Sequence, residues 1–413
     1  MAATIRTITP DDAVGYLRTI RATFLAPPQS PQALQARADF WLERMRPDLS
    51  RAWGAFDGGT CVGSFRTVPF ELTVPGGRTV PADGVTAVTV APTHRRRGLL
   101  TGLMAEGLRA AADRGDAVSI LIAAEWRIYG RYGFGVATED AVWEVDRLRA
   151  AAGPPVGTVE AVEIGELRKL APPVYDAARR SRPGGIDRPE PRWDLDLGLA
   201  HADGEQPEWT GRAVVHRDAS GEVDGYLRWH AEDSWEGMLP TGTLHVDELA
   251  TASAAAYADL WRFALGVDLL ARVRASERPV DEPLPWLLAD GRAARQVQRW
   301  DRLWLRVLDV PAALAGRGYL TAGRTVLEVV DPGGYAAGRF ALEAGPEGAE
   351  CRPTTDSADL TLPAAVLGAA YLGGTRLRTL AAAGLVDEDR AGAVEAADRL
   401  LVGDQVPFCP LHF

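Results

Sequence analysis

The sequence predicts a mixed α/β and α+β chain: two strand–helix–strand units in tandem, the second degenerate, then an α+β domain. Three observations predict it. Val85, Thr86, Val88, Thr89 and Val90 form a β-branched run stopped by Pro92, and Leu99, Leu100, Leu103, Met104 and Leu108 then recur at helical spacing before the apolar run Val118–Ile122. The same plan returns as a strand at 243–249, a helix at 254–270 and a strand at 271–275. From Leu303 onward, short strands give way to an apolar helix at 362–371, the order of an α+β domain.

A chain of 413 residues is long enough for two or three cores, and the divisions read as 1–148, 149–300 and 301–413. The net charge of −11 argues against nucleic acid and suits a cationic small molecule. Cys61, Cys351 and Cys409 are odd in number and lack metal-ligand spacing, so they read as reduced thiols and no metal site is expected. No charged and apolar leader precedes Ile5, and no apolar run is long enough to span a bilayer. The expectation is a cytoplasmic protein without a membrane partner.

In chain order, Thr9-Pro10-Asp11-Asp12 caps a helix running to Phe24, with Val14, Leu17 and Ile20 on one face. Ser30-Pro31 opens a second helix carrying Leu34, Phe40, Trp41 and Met45. Strands are expected at 52–56, 61–74 (bent near Pro69) and 78–80, separated by Asp57-Gly58-Gly59 and Pro75-Gly76-Gly77. Ala151-Ala152-Gly153-Pro154-Pro155 reads as a linker, and alternation restarts at Val159. Leu303-Trp304-Leu305-Arg306-Val307-Leu308 opens the third segment, with strands at 325–330 and 338–342. The tail, residues 404–413, is too apolar to be disordered.

Between the strand ending at Val90 and the helix lies Arg95-Arg96-Arg97-Gly98. Such a turn gathers free backbone N–H groups, the positive end of a helix dipole and guanidinium groups at one point, which suits an anion. It is neither a Walker loop nor a three-glycine dinucleotide fingerprint. The bland alternative is an arginine cluster that only solvates a helix start. After the next strand comes Glu125-Trp126-Arg127-Ile128-Tyr129-Gly130-Arg131-Tyr132-Gly133-Phe134.

Arg95-x-x-Gly98-x-Leu100, which departs from the usual Gly or Ala at its last position, resembles the pyrophosphate loop of the GCN5-related N-acetyltransferases (GNAT). Tyr129, Gly133 and Phe134 match that superfamily's Tyr-x-x-x-Gly-Phe landmark. With the 303–314 segment, the apolar helix at 362–371 and a chain ending in Phe, the whole sequence resembles the enhanced intracellular survival family. The resemblance implies two tandem GNAT folds, the second unable to bind coenzyme A, a sterol-carrier-like C-terminal domain and a homohexamer. It implies acetyl-CoA as co-substrate and amines of aminoglycosides as acceptors, with lysines of proteins for some members.

Carried over by motif, Val88, Thr89 and Val90 bond the pantetheine arm, and Arg95, Arg96, Arg97, Gly98, Leu99, Leu100 and Thr101 cradle the pyrophosphate. Ala124 and Glu125 lie beside the thioester. Tyr129 matches the general acid that protonates the departing thiolate, and the terminal carboxylate of Phe413 matches the base. No Cys-His or Ser-His-Asp arrangement points to a covalent acetyl-enzyme, so direct transfer is expected. Two other functions stay open: a protein-lysine or polyamine acetyltransferase, and a lipid or sterol carrier with a vestigial transferase unit.

Overall fold

Thr9 and Asp12 close the cap their spacing predicts. The Thr9 backbone N–H and hydroxyl both donate to the Asp12 carboxylate (2.8 and 2.9 Å), and the chain turns through Pro10–Asp12 into a helix, Ala13–Thr23. Ser30 Oγ likewise accepts from Ala33 N–H (3.1 Å) to start the helix Pro31–Phe40. The structure, a computed structural model, describes residues 3–413.

Residues 61–74 lie within one long strand, Thr60–Val74, and it pairs along its length with a single strand, Arg78–Val90, rather than with two short ones. Gly84, in the middle of the second strand, marks a close approach and not a break. A Cβ there would lie 2.4 Å from the Phe70 ring and 3.1 Å from the ring of Phe413. The helix Leu99–Asp113 then crosses to Val118–Ile122, which runs parallel to Arg78–Val90.

The first sheet has the order Thr4–Thr7, Ala52–Asp57, Thr60–Val74, Arg78–Val90, Val118–Ile122, Leu303–Val307, Gly135–Val136. A second seven-stranded sheet runs Ala294–Asp301, Glu139–Asp146, Leu270–Arg278, Gly242–Thr251, Val223–Glu232, Arg212–Arg217, Thr158–Val162. Its crossover helix is Ala254–Gly266, four residues shorter than its pattern suggests.

Two strands lie in sheets that their place in the sequence does not predict. Leu303–Val307, read as the start of the third domain, sits inside the first sheet between Val118–Ile122 and Gly135–Val136. Glu139–Asp146, read as the end of the first domain, sits inside the second sheet between Leu270–Arg278 and Ala294–Asp301. The sheets therefore cross the divisions drawn at 148 and 300. Burial gives the reason: all five residues of Leu303–Val307 are buried, which only a central strand covered on both faces allows.

The C-terminal unit has a five-stranded sheet, Gly348–Pro353, Gly338–Gly345, Gly323–Val330, Leu360–Pro363 and Asp387–Glu388, with the helix Ala364–Tyr371 behind it. That helix starts after Pro363, two residues later than its apolar pattern suggests. One continuous core joins this unit to the first sheet: Leu327, Leu342, Leu367 and Tyr371 pack in the same cluster as Phe70, Leu72, Ile120 and Leu305. Cys409 and Leu411 of the tail belong to it too. All three cysteines are free and buried. Among the described residues no helix is long and apolar enough to cross a membrane.

Candidate active site

The site begins where two parallel strands part. Pairing runs from Ala82 opposite Val118 to Val85 opposite Leu121, and Arg78–Val90 then continues without its parallel neighbour, paired only with Thr60–Val74. A bulge sits just past the parting point, with Ala87 in the left-handed region (φ 52°). The Ser64 hydroxyl donates to the Ala87 carbonyl (2.7 Å) and lies 2.6 Å from the Thr89 hydroxyl, which pins the bulge from behind. Val88 and Val90 then pack with Leu99 and Leu103 of the crossover helix.

A cavity of about 700 Å³ fills the wedge. Val88, Thr89, Val90, Arg95, Arg96, Gly98, Leu99, Leu100, Thr101, Ala124, Glu125 and Tyr129 all line it. Arg97 does not; its guanidinium turns back to donate to the Thr93 carbonyl (3.2 Å). Thr23, Phe24, Leu25, His94, Ile128, Arg131 and Tyr132 line it as well and were not singled out by the sequence. Phe24 and Leu25 carried a usable signal, being apolar residues at a helix end that no core claims: they are 56% and 90% exposed.

At one end of the cavity the structure offers an anion what the turn promised. Gly98 is the N-cap of Leu99–Asp113 with φ 79° and no side-chain cap, so the N–H groups of Leu99, Leu100 and Thr101 have no intrahelical partner. Arg96 is also left-handed (φ 63°), which turns successive N–H groups inward. Arg95 and Arg96 are exposed, and neither guanidinium has an ion-pair partner among the described residues. A Cβ on Gly98 would meet no protein atom within 4 Å, so open space lies beside the backbone there. These features fit a pyrophosphate.

Also on the lining, Glu125 is the N-cap of the short helix Trp126–Tyr129. Tyr129 is 7% exposed and stacks edge-on against Phe134. Burial pushes its phenol up to about 12, helped by Glu125 and Tyr132. The group is therefore a proton donor throughout the neutral range. Across the mouth, the Thr101 and Tyr132 hydroxyls lie 3.1 Å apart, tying the helix start to the turn that carries Tyr129.

Phe413 lies elsewhere. Its ring packs on Phe70 (centroids 4.8 Å apart) and against Gly84, one residue before the strands part. Phe70 and Ile120 belong to the core shared with the C-terminal unit, whereas Val85, Leu121 and Tyr129 belong to the core under the crossover helix. The ring thus reaches the wedge from the face opposite the cavity. The tail is held by Phe408 N–H donating to the Pro183 carbonyl (2.8 Å) and by Arg302 beside His412 Nδ1 (3.3 Å).

Comparison with known proteins accounts for all three units. The family model described as an acetyltransferase (GNAT) domain matches residues 4–137, a second acetyltransferase (GNAT) model matches 184–308, and a sterol carrier protein domain matches 310–410. An uncharacterized N-acetyltransferase of Streptomyces griseus subsp. griseus is 43% identical over 99% of each chain. The N-acetyltransferase Eis of Mycobacterium tuberculosis is 40% identical over 80% of each chain. The crystal structure of Eis1 from Mycobacterium abscessus superposes with a TM-score of 0.84 at 32% identity, covering 99% of this chain and 100% of that one.

Proposed function

The chain belongs to the Eis family of GCN5-related N-acetyltransferases, and from that premise we propose that it moves acetyl directly from acetyl-CoA to a primary amine of a small, cationic, aminoglycoside-type molecule. The observation that carries this reading is the combination, in one cavity, of an uncapped helix start flanked by unpaired Arg95 and Arg96 with the protonated phenol of Tyr129. The pyrophosphate binds at Gly98–Thr101, and the pantetheine arm lies along Val88, Thr89 and Val90. A backbone N–H of that strand supports the thioester oxygen as charge develops on it.

The amine must arrive neutral. Its nitrogen attacks the thioester carbonyl carbon, the C–S bond breaks, and the amine's proton passes to a base. Tyr129 gives its own proton to the departing thiolate. The base in this reading is the terminal carboxylate of Phe413, whose ring is anchored on Gly84, one residue from the parting point and on the face opposite the cavity. An ordinary α-carboxyl, at a pKa of about 3.3 to 3.7, is a weak base for an ammonium, so the role rests on the apolar setting of Phe70 and Leu411 or on an intervening water. Homohexamer assembly and a cytoplasmic location belong to the same family-based reading.

Thiol release from acetyl-CoA across aminoglycosides, polyamines and lysine peptides tests the acceptor class. Extending the chain by one Gly tests the base, because it moves the carboxylate while keeping every side chain. Acetylation is expected to collapse while acetyl-CoA affinity and melting temperature hold. Normal turnover in the extended enzyme would remove the carboxylate from the mechanism.

A further inference from the structure

Three guanidiniums line the large cavity, those of Arg95, Arg96 and Arg131, against one carboxylate, Glu125. None of the three has an ion-pair partner among the described residues. Arg95 and Arg96 flank the helix start and match the charge of a pyrophosphate bound there, which leaves the third cation without a use.

Arg131 is exposed, yet its side chain is restrained. Its Nε donates to the Ile128 carbonyl (3.1 Å), and its Cζ lies 5.1 Å from the centre of the Tyr132 ring. A backbone acceptor and an aromatic face therefore hold the guanidinium, while its two terminal nitrogens have no hydrogen-bond partner among the described residues. An arginine that only meets solvent needs neither restraint, whereas ordering the side chain beforehand lowers the entropy lost when an anion binds. The Tyr132 hydroxyl in turn lies 3.1 Å from that of Thr101, in the first turn of Leu99–Asp113. One tyrosine ring thus separates the Arg131 guanidinium from the helix start.

We propose that Arg131 binds the ribose 3′-phosphate of the coenzyme and makes the enzyme select acetyl-CoA over the same thioester lacking that phosphate. With the pantetheine arm along Val88–Val90 and the pyrophosphate at Gly98–Thr101, the adenosine end follows beyond the helix start. Its one remaining charged group is the 3′-phosphate. A phosphate monoester carries nearly two negative charges at neutral pH, and its oxygens accept the parallel N–H pair that a guanidinium fork presents. This rests on the acetyltransferase reading and adds to it the form of the donor that the cavity selects.

The test is calorimetry with coenzyme A and with 3′-dephospho-coenzyme A on full-length wild type, Arg131→Met, Arg131→Lys and Arg95→Ala. Thiol release from the two acetylated forms is measured alongside. Wild type is expected to bind coenzyme A roughly 10-fold more tightly than the dephospho form, the low end for a charge-assisted hydrogen bond because the site is open to solvent. Arg131→Met should abolish that preference, and Arg131→Lys should keep part of it, having the charge without the fork. Arg95→Ala should weaken both ligands alike and preserve the ratio, since both carry the pyrophosphate. The melting temperature of Arg131→Met should hold, because no ion pair is broken. Equal affinity of wild type for the two forms, or a preference that survives Arg131→Met, overturns the proposal. A preference that needs Arg131, in a protein that releases no thiol with any amine, sustains the phosphate site and counts against the acetyltransferase reading alone. Binding of neither form overturns both.

Discussion

The two strand–helix–strand units share a backbone plan and differ in what fills it. In each, parallel pairing stops and one strand runs on for five residues, Thr86 to Val90 in the first unit and Asp247 to Thr251 in the second. Each run-on strand carries an irregularity near the parting point, at Ala87 in one and between Arg228 and Trp229 of its neighbour in the other. The first wedge is a cavity. The second keeps a smaller one of about 190 Å³ beside Leu249, Ala250 and Thr251, narrowed where Arg278 reaches in and donates to the Leu249 carbonyl (2.9 Å), and Glu282 holds Arg278 while accepting from the Tyr257 hydroxyl (2.7 Å). Glu248 occupies the same strand: burial raises its pKa, but Arg188 and Arg228 overcome that and hold it at about 2. The helix starts differ likewise. Gly98 leaves its N–H groups free, whereas Ser253 caps its own helix through Ala256 N–H (3.0 Å). The two GNAT units thus differ in how much of the wedge and of the helix start their own side chains occupy.

The largest expected effect tests the open wedge. Tyr129→Phe keeps the ring that packs on Phe134 and removes only the proton, so kcat should fall by about 10² to 10⁴ with little change in the KM for acetyl-CoA. The phenol, held up to about 12, stays protonated well past neutrality, so the wild-type rate should show no alkaline fall assignable to it below about pH 11. Near-normal turnover in the variant would make Tyr129 a packing residue and leave the two wedges chemically alike.

Next comes the narrowed wedge. Arg278→Met leaves Glu282, which is 4% exposed, without its cation, and should destabilise the protein by about 3 to 5 kcal/mol in denaturant titration. Calorimetry should still count one acetyl-CoA per chain, because the second helix start stays capped and lacks arginines. Two sites per chain in this variant would mean that Arg278 alone separates the units.

The arginine turn should respond in the opposite way. Replacing Arg95 and Arg96 together with Ala removes two unpaired cations from the cavity rim without breaking an ion pair, so the fold should hold while acetyl-CoA affinity falls by roughly 10- to 100-fold. Raising salt should weaken wild-type binding more than the variant's. Unchanged affinity would show that these arginines only solvate the helix start.

Much of the lining of the large cavity was legible because it is local. Strand, turn and helix follow one another from Val85 to Leu108, so residues adjacent in sequence converge in space, and Tyr129 follows directly on the next strand. What local pattern could not carry was long-range pairing. Leu303–Val307 alternates like any half-buried strand, and nothing in its residues says that Ile122 and Val136 are its neighbours.

The smallest effect concerns the helix caps. Ser253 Oγ accepts from Ala256 N–H (3.0 Å) and its hydroxyl donates to Asp224 Oδ2 (2.6 Å), while the other oxygen of Asp224 meets His216 Nδ1 (2.6 Å). Ser253→Ala removes the cap and one donor to Asp224, so thermal or denaturant unfolding should report a loss of about 1 kcal/mol. The change frees an N–H at the second helix start and so moves that unit one step toward the first. It should still bind no coenzyme, since Arg278 and Glu282 continue to narrow the wedge and no guanidinium flanks the turn. Acetyl-CoA stoichiometry and KM should match wild type. A second binding event after this one substitution would mean that the cap, and not the narrowed wedge, keeps the second unit from binding coenzyme A.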